Sequence, residues 1–591
     1  MCRIAGIINS SGDTKTTILK MTSAMSHGGP DDNGVNVNNE LNVGLGHRRL
    51  SIIDLSPFGH QPMEDATSGM QISFNGEIYN YKELRDELIL LGYNFTSHSD
   101  TEVLLKGYHA WGKAMLSRLK GMFAFLLLDT KKKQLIAARD HAGIKPLYYG
   151  LKGETIYFSS EVRGIKAAIP DWKQDANWKI RFLTFGFIPE PFSTLENVFH
   201  LPKGNLMTYD LVAKSYKIEP YIHFPFTSTI TDFEEAVSKT RSTLLAAVER
   251  HLVADVPVGI FLSGGIDSSL LTFACRKFNK EQLKTLSIYF DDEKYSEKYF
   301  QDLVIKKTGV SHKAFLVSQK DFEDSLPDVF KAMDQPSIDG INSYFITRYA
   351  KEYGLKVVLS GLGADELFGG YPMFNNNRYS RIKKMRLAAK FITAFNLDYP
   401  AKKLEYLKNG DALEEYLFNR GVFVPSDVAM LLGITKEEVW NIIGQDQYNT
   451  WTDLAAGNRV SMLEQNIYMQ NQLLRDSDIY SMWHSIELRV PFLDVDVIKL
   501  AHSIAPSIKF NHKQKKLLLI KAFEQELPEE IWNRKKMGFT FPFQNWFKQS
   551  DYLNNAQKNA PQLSRAQSRF KSGELTWGRY WTQVVESEFG K

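Results

Sequence analysis

Over the first two hundred positions, apolar residues fall in short runs broken by Gly, Pro, Asn and Asp. Residues 2–8, 45–53, 70–74, 123–129, 134–138 and 155–160 read as strands separated by turns. Two helical patterns interrupt them. Leu84, Leu88 and Leu91 recur at helical spacing within 81–91, and a second helix is expected at 102–111. This mixture predicts an α+β domain with sheets packed between helices.

Around 189–221 the pattern loosens into Pro- and Gly-bearing loop and hairpin, and 220–231 reads as a linker. Beyond Asp232 the period changes. Residues 233–251 predict a long amphipathic helix, followed by a buried strand at 256–262, a helix at 268–276, a strand at 284–289 and a helix at 297–309. A helix at 343–353 and a strand at 356–359 continue the alternation, which predicts a doubly wound parallel sheet. The stretch 375–591 reads as largely helical. The chain is read as a first domain over 2–205, a linker over 206–232 and a second domain over 233–591.

The 591 residues exceed what one core supports, in line with two domains. Seventy-two Lys and Arg against 68 Asp and Glu leave +4, so charge gives no argument for nucleic acid or an anionic membrane as partner. The longest strongly apolar run, near 122–128, is far short of the roughly 20 residues a spanning helix needs. Cys2 and Cys275 are the only cysteines, which excludes a disulfide framework and points to the reducing cytoplasm. Neither CxxC nor HExxH occurs, so no protein-ligated zinc is expected.

Removal of Met1 leaves a thiol and an α-amine on the same residue, Cys2. The amine can take the thiol proton and activate the nucleophile. Alone, a cysteine at position 2 is a weak signal; its company strengthens it. His47-Arg48-Arg49, Asn75-Gly76-Glu77 and Ser99-Asp100 follow. An Asn and a Gly in a tight turn can offer an amide and a main-chain N–H to an oxyanion, Arg can grip a carboxylate, and Asp can hold an ammonium. Taken singly, Asn75-Gly76 is a hairpin turn and Arg49 a solvated charge.

As an ordered set, with Met122-Phe123-Ala124-Phe125, Arg139-Asp140 and Gly143-Ile144-Lys145-Pro146, these segments resemble the class II glutamine amidotransferase domain. The resemblance implies an Ntn-hydrolase-type layered sandwich with Cys2 as nucleophile and base. It further implies an oxyanion hole at Asn75 and Gly76, and glutamine ligands at Arg49, Asn75, Gly76, Glu77 and Asp100. Where that family usually carries Arg in its His-Arg-Gly-Pro-Asp run, this chain has Gly28.

A second informative run is Leu262-Ser263-Gly264-Gly265-Ile266-Asp267-Ser268-Ser269, where a buried strand meets a helix start. Glycines bring N–H groups to an anion and a helix N-terminus favours negative charge. No Walker A lysine is present. Asp267 beside phosphate calls for a cation, hence Mg²⁺. The bland reading is a β-to-α turn capped by Ser268. The run resembles the PP-loop of ATP pyrophosphatases, and Ser360-Gly361-Leu362-Gly363-Ala364-Asp365-Glu366 supplies a second loop.

A glutaminase followed by a PP-loop is the order of glutamine-dependent asparagine synthetases. Asp334-Gln335-Pro336-Ser337, Ile486-Glu487-Leu488-Arg489-Val490-Pro491-Phe492-Leu493-Asp494 and the Lys516 segment extend the likeness. It implies ATP contacts at Leu262, Ser263, Gly264, Gly265, Asp267, Ser268, Ser269, Ile288, Ser360 and Gly361. It implies metal ligation by Asp267 and Asp365, and charge stabilisation by Lys516, with Lys513 and Lys515 as neighbouring candidates. The implied substrates are glutamine, ATP and aspartate, with ammonia crossing an apolar tunnel; a homodimer is left open. Leu362 stands where asparagine synthetases carry Glu, so either another acid such as Glu366 substitutes or the acceptor is another carboxylate, a sugar uronate for example. A PP-loop enzyme acting on nucleic acid and a non-catalytic binding or regulatory homologue are the rival readings.

Overall fold

The computed structural model describes residues 2–9, 12–278, 283–374, 402–408, 411–444, 451, 453–511, 513–535, 537–538, 541–556 and 560–590. The expected helical stretch from 375 onward therefore lies partly outside them.

Twelve strands build the first half: β1 (Arg3–Ile8), β2 (Asp32–Asn38), β3 (Val43–Arg49), β4 (Met63–Asp65), β5 (Met70–Ile78) and β6 (Gly121–Asp129). They continue with β7 (Gln134–Arg139), β8 (Tyr148–Lys152), β9 (Thr155–Ser159), β10 (Val198–His200), β11 (Asn205–Asp210) and β12 (Ser215–Pro220). They form two antiparallel six-stranded sheets, ordered β10-β8-β9-β1-β3-β2 and β12-β11-β7-β6-β5-β4. Strand alternation explains the layering. In β1, Ile4 and Ile8 join a cluster with Leu126 and Leu128 between the sheets, whereas Ala5 and Ile7 face Ile18, Met21, Val162 and Ile165 of the helices outside. Helices Tyr81–Leu90 and Asp100–Trp111 cover the other sheet through Leu84, Leu88, Val103 and Leu104. The outcome is helix, sheet, sheet, helix, as expected.

Several details depart from the expectation. Strand β3 ends at Arg49 rather than at residue 53, because Leu50, Ile52 and Ile53 leave the sheet and bury in the core under the helices. Asn75 and Gly76 do not form a turn. Strand β5 runs on to Ile78 and pairs them with Ala124 and Phe123 of β6. Strands β11 and β12, whose residues were read as loop, hairpin and linker, complete the second sheet's edge.

The second half carries a parallel sheet of β13 (Val258–Phe261), β14 (Lys284–Tyr289), β15 (Ser311–Leu316), β16 (Val357–Leu359) and β17 (Glu487–Arg489). Its order is β15-β14-β13-β16-β17. From β13 the chain runs outward through β14 and β15, then returns to the other side at β16. That reversal opens a crevice at the carboxyl ends of β13 and β16, where such sheets bind ligands. Both candidate phosphate loops begin there. Helices Phe233–His251, Ile266–Phe278, Lys298–Thr308 and Ile341–Glu352 pack on the sheet, the first capped by Asp232 accepting from the Glu235 N–H at 2.7 Å. No helix among the described residues is long and apolar enough to cross a membrane.

Buried charges clamp the halves together. Asp478, on helix Arg475–Trp483, accepts from Arg3 Nη1 at 2.7 Å and from Lys145 Nζ at 2.6 Å. Arg3 also reaches Glu161 at 2.5 Å, and His141 contacts the Leu493 carbonyl at 2.7 Å. These groups are almost wholly withdrawn from solvent. Their ion pairing holds the Asp478 carboxyl below the usual carboxylate range against the opposing effect of burial. Removing one member of such a set strands the others in a low dielectric, at a cost of about 3–5 kcal/mol. Asp478→Ala is therefore expected to lower the thermal unfolding midpoint by several degrees at pH 7, followed by circular dichroism. Because the folded carboxyl is depressed, its contribution exists above the unfolded value of about 3.9 and is lost as pH falls through the folded value. The gap between mutant and parent should close in acid; a gap that widened there would refute the assignment.

Candidate active sites

The first site forms where β1 begins. The Cys2 main-chain N–H donates to Asn75 Oδ1 at 3.2 Å, which places the group that becomes the α-amine against β5. Asn75 Nδ2 is buried with no partner, a donor left over for an oxyanion. Gly76 has a plain steric reason: a Cβ there would lie 2.1 Å from the Met122 carbonyl oxygen. Burial pushes the Cys2 thiol up, while the nearby Arg49 pulls it down. Such a thiol needs a base, and the adjacent amine is the nearest one.

Arg49 donates from Nη1 to the Ser56 carbonyl at 3.1 Å and from Nη2 to the Asp54 carbonyl, which fixes its guanidinium under the 54–59 loop. Asp100 accepts from the Ile78 N–H at 3.0 Å, and its carboxyl is pushed up to about 6, chiefly by burial. Glu77 is buried near Asp100, and burial together with Glu487 drives its carboxyl well up. The structure thus gathers Cys2, Arg49, Asn75, Gly76, Glu77 and Asp100 on the ends of β1, β3 and β5 and the adjoining helix start. Gly28 is explained by its neighbour: a Cβ at 28 would stand 2.6 Å from Arg3 Cγ, so the Arg3 stem fills that space.

The second site is a cavity of about 1200 Å³ at the sheet's switch point. Leu262, Ser263, Gly265, Asp267, Ser268, Ile288, Ser360, Gly361 and Asp365 line it, as does Lys516. Ser263 and Ser268 hydroxyls meet at 2.9 Å and Ser268 Oγ accepts from the Ser263 N–H at 3.1 Å, drawing the loop over the helix start. Gly264 and Ser269 are set back from the wall. The Gly264 carbonyl accepts from Arg534 at 3.0 Å, and Ser269 Oγ is buried without a partner. Gly361 leaves room for Asp267, whose Cβ would be 2.8 Å from a Cβ at 361.

Of the three neighbouring lysines, Lys516 meets the acids. Its ammonium lies 2.7 and 2.6 Å from the Asp267 oxygens and also pairs with Asp365, and the two carboxylates raise its pKa. One cation is thus shared between the two carboxylates, so the pair fits a hard divalent ion as well.

Leu362 presents an apolar side chain to the cavity and packs against both large cores. Beyond it the wall carries Asp339, Glu366 and Asp476 together with Tyr371, Tyr416, Tyr468 and Arg420. The Arg420 Nε and Nη2 are engaged by Glu464 at 2.8 and 2.6 Å, and its plane stacks on Tyr468. Burial pushes Glu366 and Asp476 up to about 7. Of this wall the sequence pointed to Glu366 alone; Asp339, Asp476, Tyr416, Tyr468, Arg420 and Arg534 come from segments far apart in the chain and form no motif.

Strand β17 stands between the two sites. Its Arg489 carbonyl accepts from the Ser360 N–H at 2.9 Å, while the side chain points to Glu77. Arg3, Lys145, Asp478, Glu487 and Arg489 are buried in this region, and one apolar cluster, with Met122 and Ile144 from the first half and Val490 and Leu493 from the second, is shared by the halves.

Comparison with known proteins follows this division. The family model for the glutamine amidotransferase domain matches residues 1–222, and that for asparagine synthase matches 239–574. Asparagine synthetase [glutamine-hydrolyzing] 1 of Bacillus subtilis is 34% identical over 571 residues, covering 93% of this chain and 88% of that one. Asparagine synthetase [glutamine-hydrolyzing] 3 of the same organism is 33% identical, covering 91% and 87%. Amidase chry2 of Gibberella zeae is 27% identical, covering 90% and 87%.

Asn75→Ala is expected to lower glutamine hydrolysis by about 10²–10³ in kcat, the usual effect of deleting one oxyanion donor. Glutamate release measures it, and a variant within threefold of the parent would remove Asn75 from that role.

Proposed function

Because the chain belongs to the glutamine-hydrolysing asparagine synthetase family, we propose that it frees ammonia from glutamine at Cys2 and uses it to amidate a carboxylate activated by ATP, aspartate being the first acceptor. The amine of Cys2 takes the thiol proton as sulfur attacks the glutamine amide. Asn75 Nδ2 and the Gly76 N–H stabilise the oxyanion; as it collapses the protonated amine gives its proton to the departing nitrogen, which leaves as ammonia, and water hydrolyses the remaining thioester to glutamate. Arg49 holds the substrate carboxylate, and Glu77 and Asp100 its ammonium.

At the second site the acceptor carboxylate attacks the α-phosphorus of ATP, giving an acyl-adenylate and pyrophosphate. Asp267 and Asp365 would hold Mg²⁺, which supplies charge neutralisation for the phosphates when bound. Lys516 stabilises the charge that develops on the nucleotide. Ammonia then attacks the acyl carbon and AMP departs. Delivery within the protein keeps the nitrogen unprotonated, since ammonium has no lone pair to attack with.

The observation that carries this reading is Lys516 clasped by Asp267 and Asp365 at the switch-point crevice, with Asn75 Nδ2 waiting beside Cys2. Leu362 favours a second reading of the acceptor. Aspartate brings a second carboxylate, and the wall beyond Leu362 offers Asp339, Glu366 and Asp476 with an Arg420 already engaged by Glu464. An acceptor with one carboxylate and a polyhydroxylated body, such as a sugar uronate, suits that wall. The likeness to a protein named an amidase supports this second reading.

Two measurements test the proposal. Cys2→Ala should abolish glutamine-dependent amide formation while ammonia still supports it, and Asp267→Asn should stop pyrophosphate release yet leave glutamate release; loss of both activities in either variant contradicts the division of labour. A screen reading pyrophosphate and AMP with aspartate beside sugar uronates decides the acceptor. If aspartate is the substrate, Leu362→Glu should raise aspartate-dependent pyrophosphate release about tenfold, about 1.4 kcal/mol in the barrier; no gain together with uronate turnover selects the second reading.

A further inference from the structure

Arg489 belongs to the ATP-binding half, yet its side chain ends beside the glutamine site. It is fully buried. Nε donates to Glu487 at 2.5 Å, and Nη1 donates to the carbonyls of His251 and Val253 at 2.6 Å each. The guanidinium also lies over the Tyr79 ring, 5.4 Å from its centre. These contacts leave Nη2 facing Glu77 Oε2 at 3.7 Å, and neither atom has a hydrogen-bond partner. Two complementary buried groups thus stand less than an ångström short of a hydrogen bond.

Chemistry says what the gap is for. Glu77 can hold the ammonium of glutamine only as a carboxylate, and its surroundings oppose that state: burial first, then the charges of Glu487 and Asp100. Arg489 is the cation that opposes them. Glu487 stays ionised against Arg489, so the strand supplies both an anion and the cation that balances it.

We propose that Arg489 is a positioning residue of the glutamine site, contributed by the ATP-binding half, which aims the Glu77 carboxyl at the substrate ammonium. Glutamine affinity is then a property of the docked protein and is lost when β17 moves. The same residue's carbonyl holds the Ser360 N–H, so one side chain and one peptide group of Arg489 touch the two sites. The inference rests on the amidotransferase reading above, and it needs no acceptor for its test.

The test is steady-state glutamate release by the full chain, with Arg489→Met, Arg489→Lys and Glu77→Gln. Arg489→Met should raise the glutamine KM at least tenfold with kcat changed less than threefold, and Arg489→Lys should restore part of the loss. A KM within twofold of the parent, or a fall in kcat with KM unmoved, overturns the role. Should Arg489→Met fail to fold, the cycle of Arg489→Lys with Glu77→Gln replaces it: KM effects that multiply independently overturn the proposal, and non-additive effects support it. Failure of the underlying reading has a different signature, since the parent protein would then release no glutamate at all.

Discussion

The arrangement depends on charge buried between two domains. Asp478 draws in Arg3 and Lys145 from one side, and Arg489 reaches back from the other toward Glu77. Each of these groups gave up hydration on folding, and a lone one would cost several kcal/mol. Only one mutual orientation of the halves satisfies them together. Apolar contact tolerates sliding; desolvated ion pairs with fixed hydrogen-bond directions do not. The placement of the glutaminase centre relative to the ATP crevice is fixed by these directional contacts together with the apolar cluster that the halves share.

The boundary carries both kinds of contact: an apolar cluster shared by the halves, with Met122 and Ile144 on one and Val490 and Leu493 on the other, and buried charges at Arg3, Lys145, Asp478, Glu487 and Arg489. Arg3 also explains why position 28 is glycine, because its stem occupies the volume a side chain there would claim. A local departure from the family pattern is thus compensated by an arginine that pairs across the domain boundary.

The ATP crevice shows how little local sequence is needed for a site when topology does the placing. Two strand ends on either side of a reversal bring Ser263 and Ser360 to one cavity, and a lysine from a third segment closes it. The order β15-β14-β13-β16-β17 would hold for many sequences with buried β-branched strands. Beyond Leu362 the cavity wall is built of aromatic rings and acids, Tyr371, Tyr416 and Tyr468 with Asp339, Glu366 and Asp476.

Local pattern determined most element types: short apolar runs bounded by turn residues in β1 and β6, the long amphipathic helix over Phe233–His251, and the strand–helix alternation of the second half. Motif order determined the two candidate centres, because Cys2, Asn75-Gly76, the Ser-Gly-Gly run and the Ser360 loop are local and each carries its own chemistry. Three things were decided only by tertiary structure. Asn75 and Gly76 lie inside a strand, since β6 offers pairing along their whole length and a turn residue goes extended when a ladder captures it. Lys513, Lys515 and Lys516 all line the ATP cavity, and folding brings the Lys516 ammonium between Asp267 and Asp365. Arg489 joins the glutamine site because folding places residues 412 positions apart side by side, and no periodicity or spacing along the chain encodes a distance of that kind.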